Sequence, residues 1–278
     1  MTSPRLLIRS VALALRPRGK KSRSTLARLA TAVAAGTFTE EELAEARIRH
    51  WANFADGHGS HKAGLFPWET RFYGRHLKPK SRLLIVGAGS GRDVLCFLRD
   101  GHRATAIDES AEALLSLERR LNRAELSADV RSGSIVSFET QDRFDAVIFS
   151  WLSYILIPAR ADRLTALEHA ARTLAPDGRI LVSYKPGSTA PWMGRITRGL
   201  AKVLGAASPE DFEEFELQGP AAAPMVYHTR FFTSTEIEGE ARAAGLVVQD
   251  HHPGAPGWDD PGCIVLGLPS SGDPAPVL

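Results

Sequence analysis

Apolar positions follow two rhythms along this chain, and the change from one to the other marks its centre. Leu83-Leu84-Ile85-Val86 is an unbroken apolar run, the pattern of a short strand buried on both faces. It leads into Gly87, Gly89 and Gly91, whose alternate spacing predicts a tight turn, and Val94 to Leu98 then resume helical spacing. Gly101 ends that helix, Arg103-Ala104-Thr105-Ala106-Ile107 reads as a second strand, and Asp108 stands at its carboxyl end.

Other helices announce themselves by their caps. Ser24 caps a helix through Leu26, Leu29, Ala30 and Val33 that Gly36 ends; Thr39 and Glu42 form a capping box for the next, through Leu43, Ile48, Trp51 and Phe54 to Gly57. Leu164, Leu167, Ala171 and Leu174 mark one face of a helix packed on a sheet, and Thr233 with Glu236 caps a last helix closed by Gly245. From Pro186 to Arg230 strand character is lost, and Ser208-Pro209-Glu210-Asp211 announces one short helix.

A strand, a glycine turn and a helix start together make a site for a negatively charged or nucleotide-like ligand. Residues without Cβ let backbone amides approach the ligand, and the helix N-terminus favours negative groups. A dinucleotide site of the G-x-G-x-x-G kind wants glycine at position 92, where this chain has arginine. Asp108, 17 residues after Gly91, admits two readings. It can accept both hydroxyls of a ribose lying across the strand ends, or it can cap the next helix with Ser110.

The G-x-G-x-G spacing of Gly87, Gly89 and Gly91 resembles motif I of the class I S-adenosylmethionine-dependent methyltransferases. Ser127 to Arg131 reads as the third strand; Phe144 to Ser150 looks like the family's fourth, and Leu174-Ala175-Pro176-Asp177-Gly178 with Arg179 to Val182 like its helix end, turn and fifth. Leu246 to Gln249 and Cys263 to Leu266 are similar to its last, antiparallel pair. The resemblance implies an α/β fold: a Rossmann-like seven-stranded mixed sheet of order 3-2-1-4-5-7-6 with helices on both faces. Residues 1–76 then form a basic leader and helical extension acting as a lid, 77–268 the methyltransferase core, 186–230 a substrate-cap insertion, and 269–278 a disordered tail.

The same resemblance implies where S-adenosylmethionine lies and S-adenosylhomocysteine leaves. Gly87, Ala88, Gly89 and Gly91 would present main-chain nitrogens, Asp108 with Glu109 and Ser110 the ribose end, and Gly133, Ser134 and Ile135 the adenine edge. Ser150 and Trp151, followed by Leu152-Ser153-Tyr154, occupy the strand end where the family places methyl transfer. Two positions depart from the family pattern. Ile85 stands where an acid usually precedes the first glycine, and Ser134 where an acid usually meets the adenine; Asp93, in the first helical turn, can hold the methionine ammonium instead.

Composition narrows the setting. At 278 residues, with 44% hydrophobic and 24% charged, the chain suits one α/β domain with additions. A net charge of +2 gives no global field of the kind that attracts nucleic acid. Two cysteines, Cys96 and Cys263, fit a reducing, cytoplasmic setting with buried thiols, and no disulfide is expected. From Arg5 to Arg28 there are eight basic residues and no acid, interleaved with short apolar runs. Such a segment is a disordered or loosely docked leader, or makes a weak contact with an anionic membrane surface. His50, His58 and His61 lie near one another without cysteine or paired carboxylates, so no metal site is expected.

Methyl transfer needs alignment, exclusion of water and, for some acceptors, a base. His228, beside Tyr227, is the first candidate; His251 and His252, on the connection leaving the sixth strand, come next, then Tyr154 and Tyr184. Trp192, Met193, Phe212, Phe215, Met225 and Tyr227 could line an apolar pocket, and Trp258, Asp259 and Asp260 meet a substrate. The acidic run Glu210 to Glu216 reads as a solvated helix face or a greeting for a cationic acceptor. The Asn/Asp-Pro-Pro-Tyr motif of enzymes methylating adenine, cytosine or glutamine nitrogen is missing after Phe149. A small molecule methylated on oxygen, nitrogen or sulfur is the expected acceptor, and a non-catalytic cofactor-binding partner protein is the alternative.

Overall fold

The structure, a computed structural model, describes residues 4–14, 33–34, 37–52, 64–187, 214–220, 222–255 and 260–269. The chain divides into two compact units, one of Trp51–Gly187 with Phe231–Leu278 and one of Met1–His50 with Ser188–Arg230.

The larger unit is built on a seven-stranded sheet. Its parallel part is β1 (Arg82–Val86), β2 (Arg103–Asp108), β3 (Asp129–Ser132), β4 (Phe144–Phe149) and β5 (Leu174–Tyr184), and β8 (Val247–His252) and β9 (Gly262–Gly267) complete it. The order is β3-β2-β1-β4-β5-β9-β8, with β9 antiparallel to both neighbours. Counting only these seven strands, that is the predicted 3-2-1-4-5-7-6. Val86 pairs with both Ile107 and Phe149, and Phe149 with Val182, so the residues that follow β1, β2, β4 and β5 emerge along one edge.

Alternate residues of the central strands serve opposite faces, the period-two rule of a pleated sheet. Leu83, Ile85, Ala106 and Ile148 pack against α4 (Arg92–Arg99), α5 (Ala111–Arg123) and α3 (Pro67–His76). Leu84, Val86, Val147 and Val182 pack against α6 (Arg160–Arg172) and α7 (Ser234–Ala243). Each such side chain contributes about 1.5–3 kcal/mol by leaving water. Covering on both faces explains why β1 reads as a continuous apolar run.

Helix α3 departs from the sequence reading, which placed 67–76 in the N-terminal extension. Tyr73 is buried with its ring edge on Phe97 at 5.2 Å, and Phe72 packs against the same cluster, so this helix belongs to the core unit.

The smaller unit has its own apolar cluster. Ile8, Ala12 and Leu13 of α1 (Pro4–Ala14) meet Phe38, Leu43 and Ala46 of the turn and α2 (Glu40–Ala52), together with Val226. The start of the leader is thus a docked helix. Arg9 lies 3.9 Å over the Phe38 ring and donates to Thr37 and, at 2.8 Å, to Glu42. Between 186 and 230 the expected loss of strand character is corrected by a hairpin, β6 (Glu214–Gln218) paired antiparallel with β7 (Met225–Thr229). The helices expected at Ser24–Gly36 and Ser208–Asp211, the residues His58, His61, Trp192, Met193, Phe212, Trp258 and Asp259, and the tail from 270 lie largely or wholly outside the described residues.

Candidate active site

The turn after β1 folds as three glycines with three different surroundings. A Cβ on Gly87 would lie 2.6 Å from that of Ser153, and one on Gly91 2.2 Å from a methyl of Leu117; both positions are closed by neighbouring elements. Gly89 differs: at φ +52° it has nothing among the described residues within 4 Å of where a Cβ would stand. The space over Gly89 is where a ligand can meet backbone.

Asp108 fixes this turn. Its Oδ2 accepts from the Gly89 amide at 2.8 Å and its Oδ1 from the Ser110 amide at 2.8 Å. Burial pushes its carboxyl above the usual range, opposed by those two amide bonds. A carboxylate has about four acceptor sites, so the two bonds still leave lone pairs on each oxygen. Ser110 itself caps α5, accepting from the Ala113 amide, so the capping and ribose roles coexist. Glu109 points to solvent. The Gly133 amide donates to the Asp108 carbonyl at 3.0 Å, which brings half-buried Ser134 and buried Ile135 beside the end of β2.

Beyond β4, Ser150–Leu156 winds into a 3₁₀ segment with two non-glycine residues at positive φ, Trp151 at 27° and Leu152 at 65°. Side chains of that size rarely adopt such backbone, and where they do the surroundings hold them. Here the Leu152 amide donates to Ser183 Oγ at 3.0 Å and Ser153 Oγ donates to the Val86 carbonyl at 3.1 Å. The Trp151 ring lies 6.5 Å from that of Phe66.

Beneath the turn lies a cluster that the sequence did not disclose. Arg92 forks onto Glu69, Nη1 to Oε2 at 2.7 Å and Nη2 to Oε1 at 2.5 Å, and stacks 4.7 Å over the Phe66 ring. Its Nη2 also lies beside Asp93 Oδ1, while Asp93 Oδ2 accepts from Ser150 Oγ at 2.6 Å. All three charged side chains are buried. Burial and the neighbouring Asp93 push Glu69 up to about 7, against the Arg92 guanidinium that holds it down. Asp93 Oδ1 and the Tyr73 hydroxyl have no hydrogen-bond partner among the described residues. A buried arginine demands a carboxylate, which was the available signal for Glu69; position 69, separated by a strand from position 92, could not be picked from sequence.

The candidate bases are scattered. Tyr154 is fully buried and donates to Glu240 Oε2 at 2.7 Å, and burial raises its phenol well above the usual value. It is therefore a core residue and not a base at the crevice. His252 is exposed and pairs with Asp260 at 2.8 Å. His251 sits between Glu238, 2.8 Å from Nδ1, and Tyr184, 2.7 Å from Nε2. Burial raises the Tyr184 phenol, which is therefore no base itself. The backbone of His228 pairs with Phe215 in the hairpin, and its side chain lies outside the described ones. His50 is buried, its ring 5.3 Å from Tyr227 within the smaller unit. Among the described residues no group of three histidine, cysteine, aspartate or glutamate side chains could hold a metal, and no helix is long and apolar enough to cross a membrane.

Comparison with known proteins agrees with this geometry. Residues 83–178 match the family model described as a methyltransferase domain. No curated protein sequence matches the chain. Among solved structures, the CcbJ methyltransferase from Streptomyces caelestis superposes with a TM-score of 0.59 at 14% identity, covering 83% of this chain and 100% of that one. An S-adenosylmethionine-dependent methyltransferase from Methanosarcina mazei gives 0.56 at 18%, covering 74% and 99%. The glycopeptide N-methyltransferase MtfA in complex with S-adenosylmethionine gives 0.54 at 22%, covering 72% and 93%. Identities this low speak for the fold, and the family model for the domain. With the glycine turn, the strand order and the matched segment all in place, residues 83–178 read as a methyltransferase domain, and the sheet around them has the fold of S-adenosylmethionine-dependent methyltransferases.

Proposed function

We propose that this protein transfers the methyl group of S-adenosylmethionine to an oxygen, nitrogen or sulfur atom of a small molecule. The observation that carries the reading is the Asp108 carboxylate, held by the amides of Gly89 and Ser110 and still rich in lone pairs beside the open space over Gly89. That arrangement fits an adenosyl group: the amides of Gly87, Ala88, Gly89 and Gly91 are spent inside the fold on Ile107, Asp108 and Ala88, so the turn gives room over Gly89 for the sugar and methionyl chain, with Asp108 on the ribose hydroxyls and Ser134 and Ile135 along the adenine. Asp93 Oδ1, whose one contact is an Arg92 nitrogen shared with Glu69, suits the ammonium group. When bound, the cofactor supplies an electrophilic methyl on a cationic sulfur.

The chain's own residues then orient and desolvate. Ser150 holds Asp93, and the strained segment from Trp151 to Ser153 walls the end of the site nearest β4. A base is needed only for acceptors that must lose a proton. His251 is the candidate among described side chains: Glu238 meets its Nδ1, and its Nε2 meets the Tyr184 hydroxyl, a contact an acceptor would have to replace. The small net charge and the missing Pro-Pro-Tyr motif favour a small acceptor over nucleic acid. That one structural relative is a glycopeptide N-methyltransferase accords with this choice.

Titration calorimetry with S-adenosylmethionine and S-adenosylhomocysteine tests the reading directly. Asp108→Ala should weaken both by about 100-fold, the equivalent of two lost hydrogen bonds to a charged acceptor. Unchanged affinity would overturn the ribose assignment.

A further inference from the structure

The cluster of Glu69, Arg92 and Asp93 places two carboxylates against one guanidinium, all buried. With both carboxylates ionised, the interior of the turn holds one surplus negative charge, which a low-dielectric site tolerates poorly. The neighbours do not cancel it. From α3 comes the Tyr73 hydroxyl, raised well above its usual value by burial; from α4, Cys96, also raised by burial; from β9, Cys263, pushed up to about 12; and from the segment after β4, neutral Ser150. None of these is charged near neutral pH. The two carboxylates also share one donor group: Arg92 Nη2 lies against Glu69 Oε1 and against Asp93 Oδ1, and Asp93 Oδ1 has no other polar contact among the described residues.

Two agents can neutralise such a site, a proton or a ligand cation. Resting on the cofactor reading above, we propose that S-adenosylmethionine binding here is a cation-for-proton exchange, in which the ammonium of the amino-acid end settles against Asp93 and one proton leaves the Glu69 carboxyl for solvent. Ile85 fits this picture: the chain lacks an acid before its first glycine, and the acidic partner comes from α4 with a second carboxylate behind it. The sign follows from competition. Below about pH 7 Glu69 keeps its proton in the free protein, and the cofactor must displace it. Above that range the carboxylate is already bare and affinity levels off.

The test is calorimetry on the full chain between about pH 6 and 7.5, below the cofactor's own amino titration, in two buffers of different ionisation enthalpy. S-adenosylmethionine and S-adenosylhomocysteine should each bind roughly tenfold more weakly at the acidic end, releasing up to about one proton. The probe 5′-methylthioadenosine, which has no amino-acid end, should bind with no proton release and no pH slope. Glu69→Gln should flatten the slope for S-adenosylmethionine; if that variant does not fold, proton release by the unaltered protein and the methylthioadenosine comparison still decide. Cofactor that binds equally across this range without releasing a proton would overturn the exchange and leave the cofactor reading standing. No binding at any pH would overturn the cofactor reading itself.

Discussion

Two buried arginines sit on opposite faces of the same sheet, and they are satisfied in opposite ways. Arg163 of α6 forks onto Glu240, gives further donors to the carbonyls of Ile157 and Pro158, and shares its carboxylate with the Tyr154 hydroxyl. Glu240 meets this cation directly and that of Arg160 at 3.9 Å, so its charge is fully offset and the polar atoms of the pair are used. Arg92 meets two carboxylates, and the site retains an Asp93 oxygen whose one contact is that shared guanidinium nitrogen and a partnerless phenol. Balanced charge with complete hydrogen bonding is what a structural clamp needs. Surplus charge is what a site that takes up a cation needs, and on the reading proposed above the two arginines separate these uses within one domain.

The contrast breaks most visibly at Arg163. Arg163→Leu leaves buried Glu240 with only the Tyr154 hydroxyl and the more distant Arg160, and should cost about 3 kcal/mol in denaturant unfolding while the folded fraction binds cofactor normally. An equal loss of cofactor affinity would mean the clamp reaches the site. The next effect is one of pH. Glu69 stands at about 7 in the folded protein against 4.5 as its ordinary value, so the fold binds its proton more tightly than the unfolded chain does. That stabilisation is complete below about 4.5 and is lost as pH rises through about 7. Thermal unfolding of the cofactor-free protein should therefore show a contribution on the order of 3 kcal/mol that declines across this window, and Glu69→Gln should remove it. The smallest effect sharpens the comparison between the two tyrosines. Tyr73→Phe, which removes a hydroxyl without a partner, should change stability by less than about 0.5 kcal/mol, whereas Tyr154→Phe should cost about 1.5–3 kcal/mol through its bond to Glu240. Equal losses would show that the Tyr73 hydroxyl is bonded after all.

What the sequence disclosed and what it hid follow from the range of the interactions. The run from Leu83 to Gly91, the helix after it and both capping boxes are set by contacts within a few residues, and they appear where the pattern puts them; Asp108 reaches the Gly89 amide 19 residues away, yet its place at a strand end was legible. Partners chosen across the fold were not legible. Glu69 and Arg92 are 23 residues apart on different helices. Tyr154 lies close behind a strand end, where a catalytic residue would also lie, and only the packing of α7 turns it toward Glu240. The hairpin had a usable signal: Glu214-Phe215-Glu216-Leu217-Gln218 alternates strictly before Gly219-Pro220. The acidic residues drew attention to charge and away from period.

Gly87 has a last consequence. Because Ser153 occupies the volume its missing side chain would fill, the first bend of the turn and the contorted link after β4 share a single van der Waals boundary. A shift of either wall presses on the other, so the spacing between the turn after β1 and the segment after β4 is gauged by one absent methyl group.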